Sequence, residues 1–162
     1  MIRTISFILL LALLTQVGCA DKVESKESVA TWFAENQAEI VELRDTVLSH
    51  PNIKRVESAE MEFVSSYGEF SKDDLEAYKT VLQQSQDLGI KSISVGKKGA
   101  ALSGKLINVS MVVISKGITG AGYALAIEYI PDSGYIELAK EHNILFSPLT
   151  LENWYLVEYT GN

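Results

Sequence analysis

Cysteine and histidine are scarce in this chain of 162 residues, which contains one cysteine and two histidines. The single cysteine, Cys19, excludes a disulfide bridge within the chain. The histidines, His50 and His142, stand far apart and belong to no paired-histidine motif. We therefore expect both histidines at the surface, and the sequence predicts neither a metal site nor a cofactor.

Positive charge is also in short supply, because 14 Lys and Arg against 21 Asp and Glu give a formal net charge of −7. An acidic protein repels phosphate backbones, which argues against nucleic acid as a partner. Residues 88–127 are the exception, with five lysines and no carboxylate. These lysines either solvate strands and protect sheet edges, or form a basic face for an anionic partner.

Catalytic patterns are missing as well, since no serine stands in a Gly-x-Ser-x-Gly motif. The acid pairs Glu60 with Glu62 and Asp73 with Asp74 are explained by one face of a strand and by the start of a helix. Glu128 interrupts an apolar strand, and we expect it on a solvated face. The sequence therefore predicts a protein that is not an enzyme.

Long apolar runs are limited to the start of the chain, where residues 5–14 (ISFILLLALL) follow Arg3. Ten residues of helix span about 15 Å, which is half of a bilayer's hydrocarbon core. This run is too short to cross a membrane and is typical of a signal peptide.

The run ends in Val17-Gly18-Cys19, which resembles the cleavage box of bacterial lipoprotein signals. The resemblance implies that Cys19 carries a diacylglycerol on sulfur, that cleavage precedes it, and that its amine is acylated. Gln16 departs from the pattern, which has an aliphatic residue there. In the alternative interpretation, ordinary secretion, cleavage follows Ala20 and removes the cysteine. Because Ala20 rather than Asp follows the cysteine, the resemblance implies the outer membrane, facing the periplasm.

These signals predict three segments: a signal peptide over 1–18, a lipidated cysteine and flexible tether over 19–28, and one domain over 29–162. A domain of this length buries enough surface to fold without metal or disulfide, and we expect a monomer. Two or three acyl chains would hold it permanently on the membrane.

Periodicity predicts the elements of the domain. Helical spacing favours one helix over 28–49 and a second that begins after Ser71, has a capping box with Asp74, and ends at Gly89. Alternation favours strands over 53–65, 90–95, 100–115, 123–130 and 153–160, with turns at 96–99 and 117–122 and a short helical piece over 135–142. The sequence therefore predicts an α+β fold, an antiparallel sheet of about four to five strands with two main helices packed on one face.

Three residue pairs in the C-terminal half resemble a group of uncharacterised small bacterial lipoproteins: Gly117-Ile118, Gly122-Tyr123 and Trp154-Tyr155. This resemblance implies no activity.

Two lysine-bearing turns supply the predicted contact site. If both turns lie at one end of the sheet, they form a face for an anionic protein or envelope component. Its residues are Lys97, Lys98, Lys116, Gly117, Gly120 and Gly122. The favoured function is a non-enzymatic binding or inhibitory module on the membrane. The alternatives are a structural or assembly accessory lipoprotein and an envelope hydrolase.

Overall fold

The structure, a computed structural model, describes residues 25–57, 70–98, 105–116, 122–140 and 144–160. At 97, 98, 106, 107 and 138–140 it describes the backbone alone. Cys19, Gly117, Gly120 and His142 lie outside these ranges, as do Glu60 and Glu62 in the predicted strand over 53–65. Among the helices of the described ranges, none combines the length and apolar character needed to cross a bilayer.

Ten elements follow one another along the described chain. The helices are α1 (Lys26–Glu35), α2 (Gln37–Ser49), α3 (Lys72–Asp87) and α4 (Gly134–Lys140). The strands are β1 (Arg55–Glu57), β2 (Ser92–Lys98), β3 (Lys105–Lys116), β4 (Tyr123–Tyr129), β5 (Leu145–Pro148) and β6 (Trp154–Thr160).

The predicted single helix over 28–49 is two helices that meet at Asn36. Ser25 caps the first, because its hydroxyl accepts a hydrogen bond from the Ser28 amide at 3.1 Å. The side-chain Nδ2 of Asn36 donates to the carbonyl of Trp32 at 2.8 Å, and the backbone N–H of Asn36 donates to the same oxygen. Asparagine competes with helical hydrogen bonding in this way, which accounts for the break. The apolar spacing continues across the break and therefore does not reveal it.

Both ends of α3 are as predicted. The Ser71 hydroxyl accepts from the Asp74 amide at 3.0 Å, and the Asp74 carboxylate accepts from the Ser71 amide at 3.3 Å. Gly89 has φ of +74°, and the Ile90 amide donates to the Ser85 carbonyl at 2.7 Å. This left-handed cap satisfies the last carbonyls of the helix.

The described strands form one six-stranded antiparallel sheet in the order β1-β2-β3-β4-β6-β5. The α+β class with an antiparallel sheet is therefore confirmed, while the predicted number of strands was too low. The edge strand β5 was missed because it is short and ends in Pro148. The predicted turn at 96–99 was wrong, since β2 continues to Lys98 through a register shift after Gly96.

Helices α1 to α3 pack on one face of the sheet, which carries the main core. Phe33 of α1 contacts Trp154 of β6 with ring centroids 5.4 Å apart. The Arg44 guanidinium of α2 lies 4.6 Å from the centre of the Tyr129 ring in β4. From α3, Tyr78 joins the same buried cluster as Ile127.

The other face of the sheet carries the residues that alternate with this core, and we call it the Glu128 face. Its members are Ser94, Asn108, Ser110, Ala126, Glu128, Phe146, Tyr155, Val157 and Tyr159. Of the described helices, α4 contacts this face, where the ring of Tyr135 lies against that of Phe146.

Candidate functional site

Glu128 is completely buried, although it lies on the sheet face away from α1 to α3. The expectation that it would face solvent was wrong. The sequence held a signal for this burial, because residues 124–127 form an apolar run without alternation. Such a run is typical of a strand covered on both faces. The structure shows that pattern, with four consecutive buried residues from Leu125 to Glu128.

Two neutral side chains hold the Glu128 carboxylate. Asn108 Nδ2 of β3 donates to Oε2 at 2.8 Å, and the Tyr159 hydroxyl of β6 donates to Oε1. Ser110 stands directly opposite Glu128 on β3, and Tyr155 stands opposite it on β6. Within the described ranges, no lysine, arginine or histidine forms an ion pair with Glu128. A buried carboxylate therefore depends on neutral hydrogen-bond donors.

Gly96 leaves room for one of those donors. It is paired with Asn108 across β2 and β3, and a Cβ atom at position 96 would stand 2.2 Å from Asn108 Oδ1. The Asn108 side chain thus extends across the sheet, with Oδ1 towards Gly96 and Nδ2 towards Glu128. Any larger residue at 96 would displace Asn108 from this position.

The carboxylate in turn affects two phenols. Burial, followed by the nearby Glu128 charge and its hydrogen bond, raises the pKa of Tyr159 well above its usual range. Burial and the Glu128 charge also raise the pKa of Tyr135 on α4. Both phenols therefore stay protonated at neutral pH, and Tyr159 remains a hydrogen-bond donor.

Three half-buried aromatic rings border this network. Phe146 of β5 lies edge-on to Tyr135, with centroids 6.5 Å apart, and edge-on to Tyr155 at 6.3 Å. Both interplanar angles are 85°. Beyond Glu128 the face changes character, since Ser94 and Asn108 are polar and Ser94 is exposed. The Glu128 face thus has aromatic rings on β5 and β6 and polar side chains on β2 and β3. Such a face can offer both ring stacking and hydrogen bonds to a partner.

The predicted lysine site has a different geometry from the one its hypothesis required. Lys97 and Lys98 end β2 beside Leu106 and Lys105, at the start of β3. Lys116 ends β3, opposite Tyr123, and is exposed. The backbone of β3 runs about 36 Å from Lys105 to Lys116 at 3.3 Å per residue. Lys97 and Lys98 therefore lie at the opposite end of the sheet from Lys116, and the three lysines do not form one face.

The remaining candidates have local roles in the structure. Gly122, the one glycine of the predicted contact site within the described ranges, precedes β4, and a Cβ there would stand 3.2 Å from the Lys116 carbonyl oxygen. His50 ends α2, with Nδ1 2.9 Å from the Thr46 carbonyl oxygen. Over the parts of the chain that the structure describes, no three His, Cys, Asp or Glu residues are grouped closely enough to bind a metal.

Comparison with known proteins yields no match: no family model, no curated protein and no solved structure is significantly similar to this chain.

Proposed function

We propose that this chain is an envelope lipoprotein, anchored through Cys19 to the outer membrane, and that its domain is a non-enzymatic binding module facing the periplasm. The Val17-Gly18-Cys19 box after a short apolar run supports the anchor. The Glu128 face supports the binding role, and the proposed contact surface is this face.

The observation that carries the binding role is that half-buried aromatic rings and an exposed serine lie on one sheet face. Phe146 and Tyr155 keep part of their rings accessible on the same face as exposed Ser94, which lies three strands from Tyr155. Aromatic residues in such partly buried positions are enriched where proteins bind partners, because a rigid ring buries much area for little lost entropy. Helices α1 to α3 cover the other face, so that face is committed to the core.

Capture from envelope extracts tests the proposal. The tethered domain is cross-linked in membranes, and the recovered partner is compared between two matched variants, Ser94→Arg on the Glu128 face and Thr80→Arg on the exposed side of α3. Both replace a small exposed hydroxyl with arginine. We expect Ser94→Arg to lose the partner and Thr80→Arg to retain it. Equal retention by both would refute the Glu128 face as the contact surface.

The anchor is tested separately by mass spectrometry of the mature N-terminus. We expect an acylated Cys19, and we expect Cys19→Ala to release the chain from the membrane. An unmodified mature chain that begins at Asp21 would contradict the proposed anchor.

A further inference from the structure

The beginning of the folded domain lies at one defined end of the sheet. The Lys26 ammonium, one residue after the N-cap of α1, forms an ion pair with the Glu158 carboxylate of β6. The hydrogen bond to Glu158 raises the pKa of Lys26, and this effect outweighs burial, which lowers it. Glu158 is two residues from the end of β6, where Thr160 pairs with Tyr123. We call this the tether end of the sheet.

Exposed basic residues are grouped at the tether end. Lys116 stands opposite Tyr123 and is exposed. Lys91, just before β2, is exposed, and its Nζ donates to the carbonyl of Ser115 at 3.1 Å. Among the described acids at this end, Glu158 pairs with Lys26 and Glu57 pairs with Arg55, while Glu27, beside Lys26 on α1, is exposed. Apart from these ion pairs, Lys91 and Lys116 place two positive charges at this end against the one negative charge of Glu27.

An apolar side chain accompanies them. Leu145 is 58% exposed, the one large apolar side chain of the described ranges with such exposure. It lies on edge strand β5 directly opposite Glu158, and therefore at the tether end. Three strand spacings of about 4.8 Å separate β5 from β3 and four separate it from β2, so Leu145, Lys116 and Lys91 span about 19 Å.

We infer that the tether end, through Lys91, Lys116 and Leu145, rests on anionic phospholipid headgroups. This inference rests on the proposed anchor, because only five residues separate Cys19 from the N-cap Ser25. Even fully extended, they reach about 20 Å. The domain is thus held where lysines gain from the negative surface potential and where a leucine can enter the interface. The Asp132 end of the sheet and its turns point away from the membrane.

The test measures orientation on vesicles. Residues 20–162 carry an N-terminal hexahistidine that binds a nickel-chelating lipid. The domain is thus attached at its N-terminus through a short tether, and the measurement does not depend on acylation of Cys19. A fluorophore is attached at Thr160→Cys, at the tether end, or at Ser133→Cys, in the turn after β4; both positions are exposed. A spin-labelled headgroup lipid quenches the fluorophore that lies nearer the membrane.

On vesicles containing phosphatidylglycerol we expect strong quenching at position 160 and little at 133. Lys91→Glu with Lys116→Glu should lower, on the order of tenfold, the ratio of molecules whose tether end contacts the headgroups to molecules in other orientations. The matched control, Lys54→Glu with Lys105→Glu, changes net charge equally but leaves the tether end intact. Leu145→Ser should also weaken the seating. In the unmodified chain, neutral phosphatidylcholine vesicles and high salt should reduce the difference between the labels to that which the tether alone imposes.

Equal quenching at both labels, or quenching indifferent to lipid charge, would overturn the inference while leaving the anchor intact. Conversely, an unacylated Cys19 in cells together with oriented binding on nickel vesicles would refute the anchor and retain the surface.

Discussion

The contact between Gly96 and Asn108 leads to a quantitative prediction. In Gly96→Ala the new Cβ would stand 2.2 Å from Asn108 Oδ1, closer than any real contact allows. The Asn108 side chain must move, and its 2.8 Å hydrogen bond to Glu128 is lost. A hydrogen bond to a charged group contributes about 1.5–3 kcal/mol. Alanine regains about 0.5–1 kcal/mol over glycine in a strand, so the net loss should be about 1–2 kcal/mol.

The same substitution should have the opposite sign when Asn108 is absent. In an Asn108→Ala background nothing remains for the Cβ to displace, and Gly96→Ala should stabilise the domain by about 0.5–1 kcal/mol. The double-mutant cycle therefore predicts a coupling free energy of about 1.5–3 kcal/mol.

Urea unfolding of the mature chain, followed by circular dichroism, measures all four variants. Gly89→Ala is the additivity control: with φ of +74° it should lose about 1 kcal/mol in both backgrounds. If Gly96→Ala has the same effect with and without Asn108, the proposed route through the Glu128 network is wrong.

Three further substitutions test the other contacts. Ser71→Ala removes the cap of α3 and should lower the free energy of unfolding by about 1 kcal/mol in urea titration, whereas Thr80→Ala in mid-helix should change it little. The hydrogen bond from Asn52, aided by those from Ser71, lowers the pKa of Asp74, so its carboxylate stabilises the fold above about pH 4 and this contribution is lost as pH falls through the folded value. The difference in urea midpoint between wild type and Asp74→Asn should therefore shrink from pH 7 to pH 3, and a constant difference would contradict the assignment. Tyr159→Phe leaves one Glu128 oxygen without its donor and should cost about 1–3 kcal/mol. Since the pKa of Tyr159 is raised, the contribution of its hydrogen bond to stability is present below pH 10 and is lost as pH rises through the folded pKa. Phenolate absorbance should therefore show a late-titrating tyrosine that Tyr159→Phe lacks.

Local signals explain the elements that the sequence predicted well. The α3 caps depend on residues five or fewer positions apart, so Ser71, Asp74 and Gly89 could be assigned from the sequence. The α1–α2 break was equally local, but the apolar stripe from Phe33 to Ile40 continues across it and concealed it. Strand β5 was missed because four residues carry too little pattern to distinguish a strand from a loop.

The Glu128 network could not be predicted in the same way, because its members come from separate strands. Asn108 and Tyr159 lie 20 and 31 residues from Glu128 in the chain. Their meeting depends on strand order and register, including the placement of β6 beside β4. The apolar run before Glu128 was a signal for burial that the predicted solvated face overlooked, and it does not indicate which side chains satisfy the carboxylate.

The short edge strand β5 affects how readily two copies of the chain can pair their sheets. Chains confined to a membrane surface meet at high local concentration, and an open sheet edge is the usual site at which one folded copy templates strand pairing with another. β5 offers only four residues at that edge, and Pro148 contributes no N–H donor. Such an edge gives a neighbouring copy few hydrogen bonds, so strand pairing between two copies through β5 is disfavoured.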